Sequence, residues 1–369
     1  METEIIDPKK LYKNNIETEV IDYGKELSKL NTISFQEPYS ISITKNKSIG
    51  IKSYIDNIIR NIYIKNLVSK GSFNDVFKFS YKKSYNYDRN YIIRISNSSS
   101  NNNNIQMELS GIKKQYNLCS KNQFIGQIID FGKIYNPIKS SRCKLQEYSI
   151  QRKYGLSLSK VLSKNPKYKN IKIVLTFIKN FLTALKTIHD NGIAHLDLKP
   201  ENILLKYRNT FGNGIFDNLD FVIIDFGAAK NFSNDKSKVL EEQMASAAFS
   251  PPELLERRYG KKSDIWAFGV ICYLVMIRKN FLKAKAQYVF LGKENEQISN
   301  NIKKAINSLL NNLLPKYVKK NHSIKEYIYP LKKSQLKNLE SLFDQTFKVD
   351  ITERANSTTL LNNKLFNLI

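Results

Sequence analysis

The sequence predicts an α+β fold in two lobes, a small antiparallel sheet carrying one helix and then a larger, mainly helical lobe. Two observations carry this. Between Ile62 and Gln151 the chain breaks into short β-branched and aromatic runs separated by glycine, serine and asparagine, the pattern of antiparallel strands. Beyond Gly155 apolar residues recur at helical spacing, most clearly in IKIVLTFIKNFLTALKTIHDNG, which ends on a glycine stop signal at Gly192. A chain of 369 residues is long enough to bury a genuine core in one large domain or two smaller ones.

Residues 1–48 are polar and irregularly patterned, so they read as a leader, partly disordered or draped over the domain that follows at 49–369. The N-lobe is expected over about 60–151 and the C-lobe over about 155–369. NIYIKNLVS, DVFKFS and NYIIRIS predict three strands; the tract SNSSSNNNN at 96–104 predicts a flexible loop, and a helical pattern runs from Ile105 to Leu118. Two more strands, Gln127 to Ile134 and Leu145 to Gln151, complete the small sheet. In the second lobe LSLSKVLSK opens the helical part, and strand-like NILLKY and FVIIDF flank a polar insert from Arg208 to Leu219. The apolar run Ile265 to Ile277 is too short to span a bilayer and reads as a buried helix. No internal repeat is visible.

Three cysteines, Cys119, Cys143 and Cys272, lie far apart and form no CxxC pair, which argues against a disulfide framework or a zinc site. The N-terminus METEIIDPKK lacks the apolar core of a secretory signal, so an intracellular protein without a transmembrane segment is expected. The net charge of +26 suits nucleic acid, anionic membrane or acidic protein partners alike. Lysine outnumbers arginine, and asparagine, isoleucine and tyrosine abound, as an AT-rich genome imposes on any surface; nucleic-acid binding is therefore not indicated beyond bulk charge.

The chemistry concentrates in His195-Leu-Asp-Leu-Lys-Pro-Glu-Asn202, which places a carboxylate, an ammonium and a carboxamide in one loop before a strand. Phosphoryl transfer uses all three: Asp197 to orient the attacking hydroxyl and accept its proton, Lys199 to neutralise charge on the moving group, and Asn202 to offer an oxygen to Mg2+. Asp225-Phe226-Gly227 follows the apolar strand FVIID, and a carboxylate at a strand end is well placed to hold Mg2+ against the phosphates of ATP.

In this order the motifs resemble the eukaryotic-type protein kinase family, over about Leu67 to Phe366. HLDLKPEN resembles the catalytic loop, DFG the metal-binding motif, and Pro251-Pro252-Glu253 the end of the activation segment. Asp264-Ile-Trp-Ala-Phe-Gly269 resembles the start of the buried central helix, whose aspartate anchors the catalytic-loop backbone. Arg354 in DITERAN resembles the late arginine that pairs with the activation-segment glutamate, here Glu253. His195 is then structural, packing near Phe226. Lys199, and Ser246 seven positions before Glu253, match the serine/threonine pattern, and the hinge-like YSIQRKYGLSL resembles that of the casein kinase group. The resemblance implies a bilobal kinase fold with ATP and magnesium in the cleft, acting on Ser/Thr hydroxyls of protein substrates, acidic ones among them. The asparagine tracts and worn motifs resemble kinases of large DNA viruses, with a protist as the other source, which would place the chain in host cytoplasm or virion.

Three departures from the family pattern bear on activity. The glycine-rich loop is reduced to Ser69-Lys70-Gly71-Ser72-Phe73-Asn74-Asp75-Val76, in which Ser69, Gly71, Phe73 and Val76 keep nucleotide-facing places. Tyr91-Ile92-Ile93-Arg94 puts arginine where the family has its phosphate-pairing lysine; Arg94 pairs with Glu108 as the helix partner or snorkels to solvent, and Lys70 or Lys78 are the other phosphate anchors. Leu196 stands where many kinases carry an arginine that binds an activation-segment phosphate, so that switch is missing. The competing readings are a pseudokinase scaffold and a small-molecule phosphotransferase.

Overall fold

Alternation along YIIRIS sets the inner face of the first unit: Tyr91, Ile93 and Ile95 are buried while Ile92 and Arg94 are half-buried on the other face. The computed structural model describes residues 48–70, 74–82, 89–96, 102–135, 146–164, 166–168, 170–206, 215–216, 218–233, 238–239, 249–253, 257–277, 300, 304 and 333–368. The chain divides into two units, one built from the residues before Lys121 and from Gly126–Lys153, the other from Lys121–Ile125 and everything from Tyr154 on.

In the first unit β1 (Ser48–Ser53), β2 (Ile59–Lys70), β3 (Asn74–Ser80), β4 (Tyr91–Ser96), β5 (Ile128–Tyr135) and β6 (Glu147–Arg152) form a curled sheet in the order β1-β2-β3-β4-β6-β5. Every pairing is antiparallel, and β1 is hydrogen-bonded to β5 as well as to β2. Ile51, Ile62, Ile64, Phe79, Ile93 and Ile150 pack together inside it. Each such side chain taken from water is worth about 1.5–3 kcal/mol, so the sheet interior is the main stabilising feature of this unit. One helix, α1 (Asn102–Cys119), packs on β5 and β6.

Two expectations need correction here. The sheet does not begin near residue 60: SIGIKS forms β1, a strand fixed by backbone bonds to two neighbours, which a polar sequence does not advertise. The helix begins at Asn102, inside the asparagine tract expected to be loop. Its Asn, Ser110 and Gly111 are weak helix formers, so propensity alone does not account for it.

The second unit contains α2 (Leu158–Leu162), β7 (Lys167–Tyr168), α3 (Ile171–Asp190), β8 (Ile193–Ala194), β9 (Ile203–Leu205), β10 (Ile215–Phe216), β11 (Phe221–Ile223), β12 (Lys230–Asn231), β13 (Lys238–Val239), β14 (Arg258–Tyr259), α4 (Lys261–Ile277), α5 (Lys333–Thr346) and α6 (Ser357–Leu361). Among the described residues the strands pair in twos, β10 with β7, β11 with β9, β12 with β8 and β13 with β14, with isolated bridges from Ile125 to Ile223 and from Ser157 to Leu204. The polar insert thus ends in a strand, β10, parallel to β7. Asn170 caps α3 through its side chain, which accepts from the Ile173 N–H, and Gly192 closes it at φ 72. Phe177, Phe181, Phe221 and Phe268 meet with ring centroids 4.9–5.7 Å apart, joining α3, β11 and α4. Helix α4 is apolar nearly all round and is buried accordingly. Among the described residues no helix is long and apolar enough to cross a membrane.

Candidate active site

In the second unit the antiparallel pair β9–β11 aligns Ile203 with Ile223, so the residues just before β9 and just after β11 lie at the same end. There the Ile224 N–H donates to the Asn202 carbonyl at 3.0 Å, which puts Asn202 beside the segment carrying Asp225. Asn202 uses its amide nitrogen on Asp197, donating to the main-chain carbonyl at 2.8 Å and to Oδ2 at 3.1 Å. The ligand it can offer a cation is therefore the amide oxygen. Lys199 Nζ donates to the same Asp197 Oδ2 at 2.7 Å, a charge-assisted bond between partly exposed groups. Carboxylate, ammonium and carboxamide are thus brought together, with the half-buried Asp225 on the adjoining segment at φ 68.

The loop that carries Asp197 is held from beneath by Asp264. Its Oδ2 accepts from the His195 N–H and its Oδ1 from the Leu196 N–H, both at 2.8 Å. Leu196 sits at φ 62, a left-handed conformation that a leucine adopts only at a cost, and the two bonds to a buried carboxylate hold it there. His195 Nε2 lies 3.1 Å from the Ile224 carbonyl, while its Nδ1 accepts from the Asp197 N–H at 3.3 Å. Those roles set the Nε2–H tautomer, and the ring lies 4.6 Å from Phe226. His195 is therefore a fastener between the two segments.

His189 was missed in the sequence. Its Nε2 meets Asp264 Oδ2 at 2.9 Å and its Nδ1 meets Ser357 Oγ at 3.5 Å, tying α3 and α6 to the anchor. The only trace was its place on the buried face of α3, which any core residue shares. Leu196 packs with Ala194, Phe232 and Tyr259, so an apolar cluster occupies the place of the arginine. Arg354 is fully buried and grips Glu253 by two bonds of 2.8 Å, with Ser263 Oγ donating to Glu253 at 3.0 Å. Ser246 lies outside the described residues.

In the first unit Ser69, Val76, Arg94 and Ser149 stand in register across β2, β3, β4 and β6. Arg94 Nη2 lies 3.1 Å from Glu108 Oε1, with both side chains mostly withdrawn from solvent. The pair links β4 to α1, so the strand arginine does not snorkel outward. Gly71 and Phe73 lie outside the described residues.

Among the described residues no group of three or more His, Cys, Asp or Glu could hold a metal by itself. Asn202 and Asp225 offer hard oxygen donors of the kind that Mg2+ takes together with substrate phosphates.

Comparison with known proteins agrees with this geometry. The family described as "Protein kinase domain" matches residues 63–366. Over 126 residues, 32% of this chain and 12% of the relative, the chain is 38% identical to serine/threonine-protein kinase PKH2 of Candida albicans. It is 36% identical over 99 residues to calcium-dependent protein kinase 4 of Plasmodium falciparum, covering 27% of this chain and 17% of the relative. It is 37% identical over 95 residues to calcium/calmodulin-dependent protein kinase type I of Schizosaccharomyces pombe, covering 26% of each. The matches thus span about a quarter or less of these relatives' length. With the family description covering most of its length, the chain belongs to the protein kinase domain family.

Proposed function

We propose that this chain is a serine/threonine protein kinase that transfers the γ-phosphoryl group of ATP to hydroxyls of protein substrates. The observation that carries this reading is the convergence of Lys199 and Asn202 on Asp197, beside the segment of Asp225. Asp197 orients the acceptor hydroxyl and takes its proton as the oxygen bonds to the γ-phosphorus and the bond to ADP breaks. Lys199 neutralises charge on the transferring group. Arg94, steadied by Glu108, pairs with ATP phosphates, with Ser69 and Val76, in register with it, toward the nucleotide. Asn202 and Asp225 would hold Mg2+, which when bound would spread the negative charge of the phosphates.

Choice of Ser/Thr over Tyr rests on Lys199 and Ser246 and on the names of the relatives. A casein-kinase-like hinge rests on YSIQRKYGLSL alone, and the net charge of +26 is compatible with acidic substrates inside a cell, in host cytoplasm or virion for a viral chain. Burial of Leu196 among Ala194, Phe232 and Tyr259 supports activity without a phosphate on the activation segment. The scaffold reading draws on Arg94 and the reduced glycine loop, but an arginine already held by Glu108 is equipped to meet phosphate.

Incubation with radiolabelled ATP, Mg2+ and one basic and one acidic protein, followed by acid hydrolysis, tests the reading. Labelled phosphoserine or phosphothreonine is expected, more on the acidic protein. Label on tyrosine alone would overturn the substrate class, and nucleotide binding without transfer would favour the scaffold.

A further inference from the structure

The family match begins at residue 63, yet the sheet of the first unit begins at Ser48. The added piece, β1 and the turn after it, is built into the unit by several independent features. β1 bonds to β2 on one side and β5 on the other. At Gly132 on β5 the Lys52 carbonyl comes so close that a Cβ there would lie 2.0 Å from it, so the approach depends on glycine. Ser53 Oγ donates to the buried Asp130 at 2.5 Å and accepts from the Ile55 N–H at 3.1 Å, which fixes the turn.

That turn faces the helix that carries Glu108. Ile55 packs against the cluster of Ile112 on α1 with Ile128 and Phe131 on β5, the same cluster against which Leu109 and Tyr116 of α1 pack. Leu109, Ile112 and Tyr116 recur at i, i+3 and i+7, one face of the helix. Tyr54 makes an edge contact with Phe131, has Lys113 Nζ 6.0 Å from its ring, and donates its hydroxyl to Glu147 at 3.2 Å. Burial, with the nearby Glu147 carboxylate, pushes the Tyr54 hydroxyl up to about 12, so it stays a donor. The first turns of α1 are rich in weak helix formers, and Glu108 meets Arg94 only if the helix keeps its place.

We propose that the turn after β1, through Ile55 and Tyr54, is a positioning element that holds α1 where Glu108 can pair with Arg94. Its consequence for nucleotide binding rests on the kinase reading above; its mechanical part does not.

The test compares the full chain with Ile55→Ala, Ile55→Val, Glu108→Ala and the double variant Ile55→Ala/Glu108→Ala. Two readouts are taken, amide hydrogen exchange across residues 102–119 and affinity for a fluorescent ATP analogue. Exchange in α1 is expected to rise in Ile55→Ala while β4 and β6 keep their protection, and Ile55→Val is expected to restore it. Nucleotide affinity should fall about tenfold, the order that weakening one charge-assisted hydrogen bond brings. In the Glu108→Ala background Ile55→Ala should cost nothing further, because both changes act through one pair. Tyr54→Phe, which keeps the ring and so the fold, should show the same exchange effect more weakly. Unchanged exchange in α1 would overturn the proposal with no nucleotide present, as would loss of affinity that simply adds to that of Glu108→Ala. Failure of the kinase reading shows separately, as absence of phosphoryl transfer by the unmutated chain.

Discussion

Asp197 takes its geometry from residues on three sides: Lys199 and Asn202 bond to its Oδ2, His195 accepts its N–H, and Asp264 fixes the two residues before it. Such a side chain can be replaced by a near-isostere without collapse of the loop, since Asp264 and His195 hold the backbone. In Asp197→Asn, kcat is expected to fall by about 10²–10⁴-fold, the usual worth of a positioned general base, while affinity for ATP stays within a few-fold. Single-turnover kinetics and nucleotide titration check both halves, and an equal collapse of ATP binding would contradict the role. These residues were legible in the sequence because phosphoryl transfer restricts them to a few types in one octapeptide. His189 was illegible, since one buried histidine on a helix face looks like any other until Asp264 and Ser357 are placed around it. Arg94 was legible as well: strand alternation set it apart from the buried face, Glu108 was the best-placed carboxylate beyond the asparagine tract, and the fold brings the two to 3.1 Å.

Among elements, the strands with β-branched and aromatic alternation and the long apolar helices α3 and α4 were readable, because their burial pattern is written in the side chains. β1 was not, because backbone pairing on both edges defines it and its sequence, SIGIKS, carries little apolar signal. Gly132 gives that pairing its most exposed point of failure. A methyl group there meets backbone on β1, not a flexible side chain, so Gly132→Ala has to push the strands apart. We expect a loss of about 1–3 kcal/mol in stability, in line with overpacking elsewhere, and faster proteolysis between residues 48 and 58. Chemical denaturation and timed digestion measure the two effects. A variant as stable and as resistant as the unmutated chain would mean that β1 contributes little to the unit.

At the scale of the molecule, the sequence separations are what make the second unit hold. Glu253 and Arg354 are 101 residues apart, and His195 and Asp264 are 69 apart, yet both pairs are buried and satisfied. A buried ion pair costs desolvation that only good geometry repays, and here two parallel bonds, Ser263 and main-chain carbonyls complete the arginine and carboxylate. Of these fastenings, the bonds of Asp264 and His195 hold the stretch that presents Asp197, Asn202 and Asp225, which is the reason to read the unit as a device for phosphoryl transfer. The most direct test is Mg2+-dependent transfer of label from γ-labelled ATP to a protein acceptor by the unmutated chain and by Asp225→Asn, with folding of both checked by thermal unfolding. The account predicts incorporation by the unmutated chain that stops on chelation of Mg2+, and none by the folded Asp225→Asn variant; equal incorporation by both would contradict it.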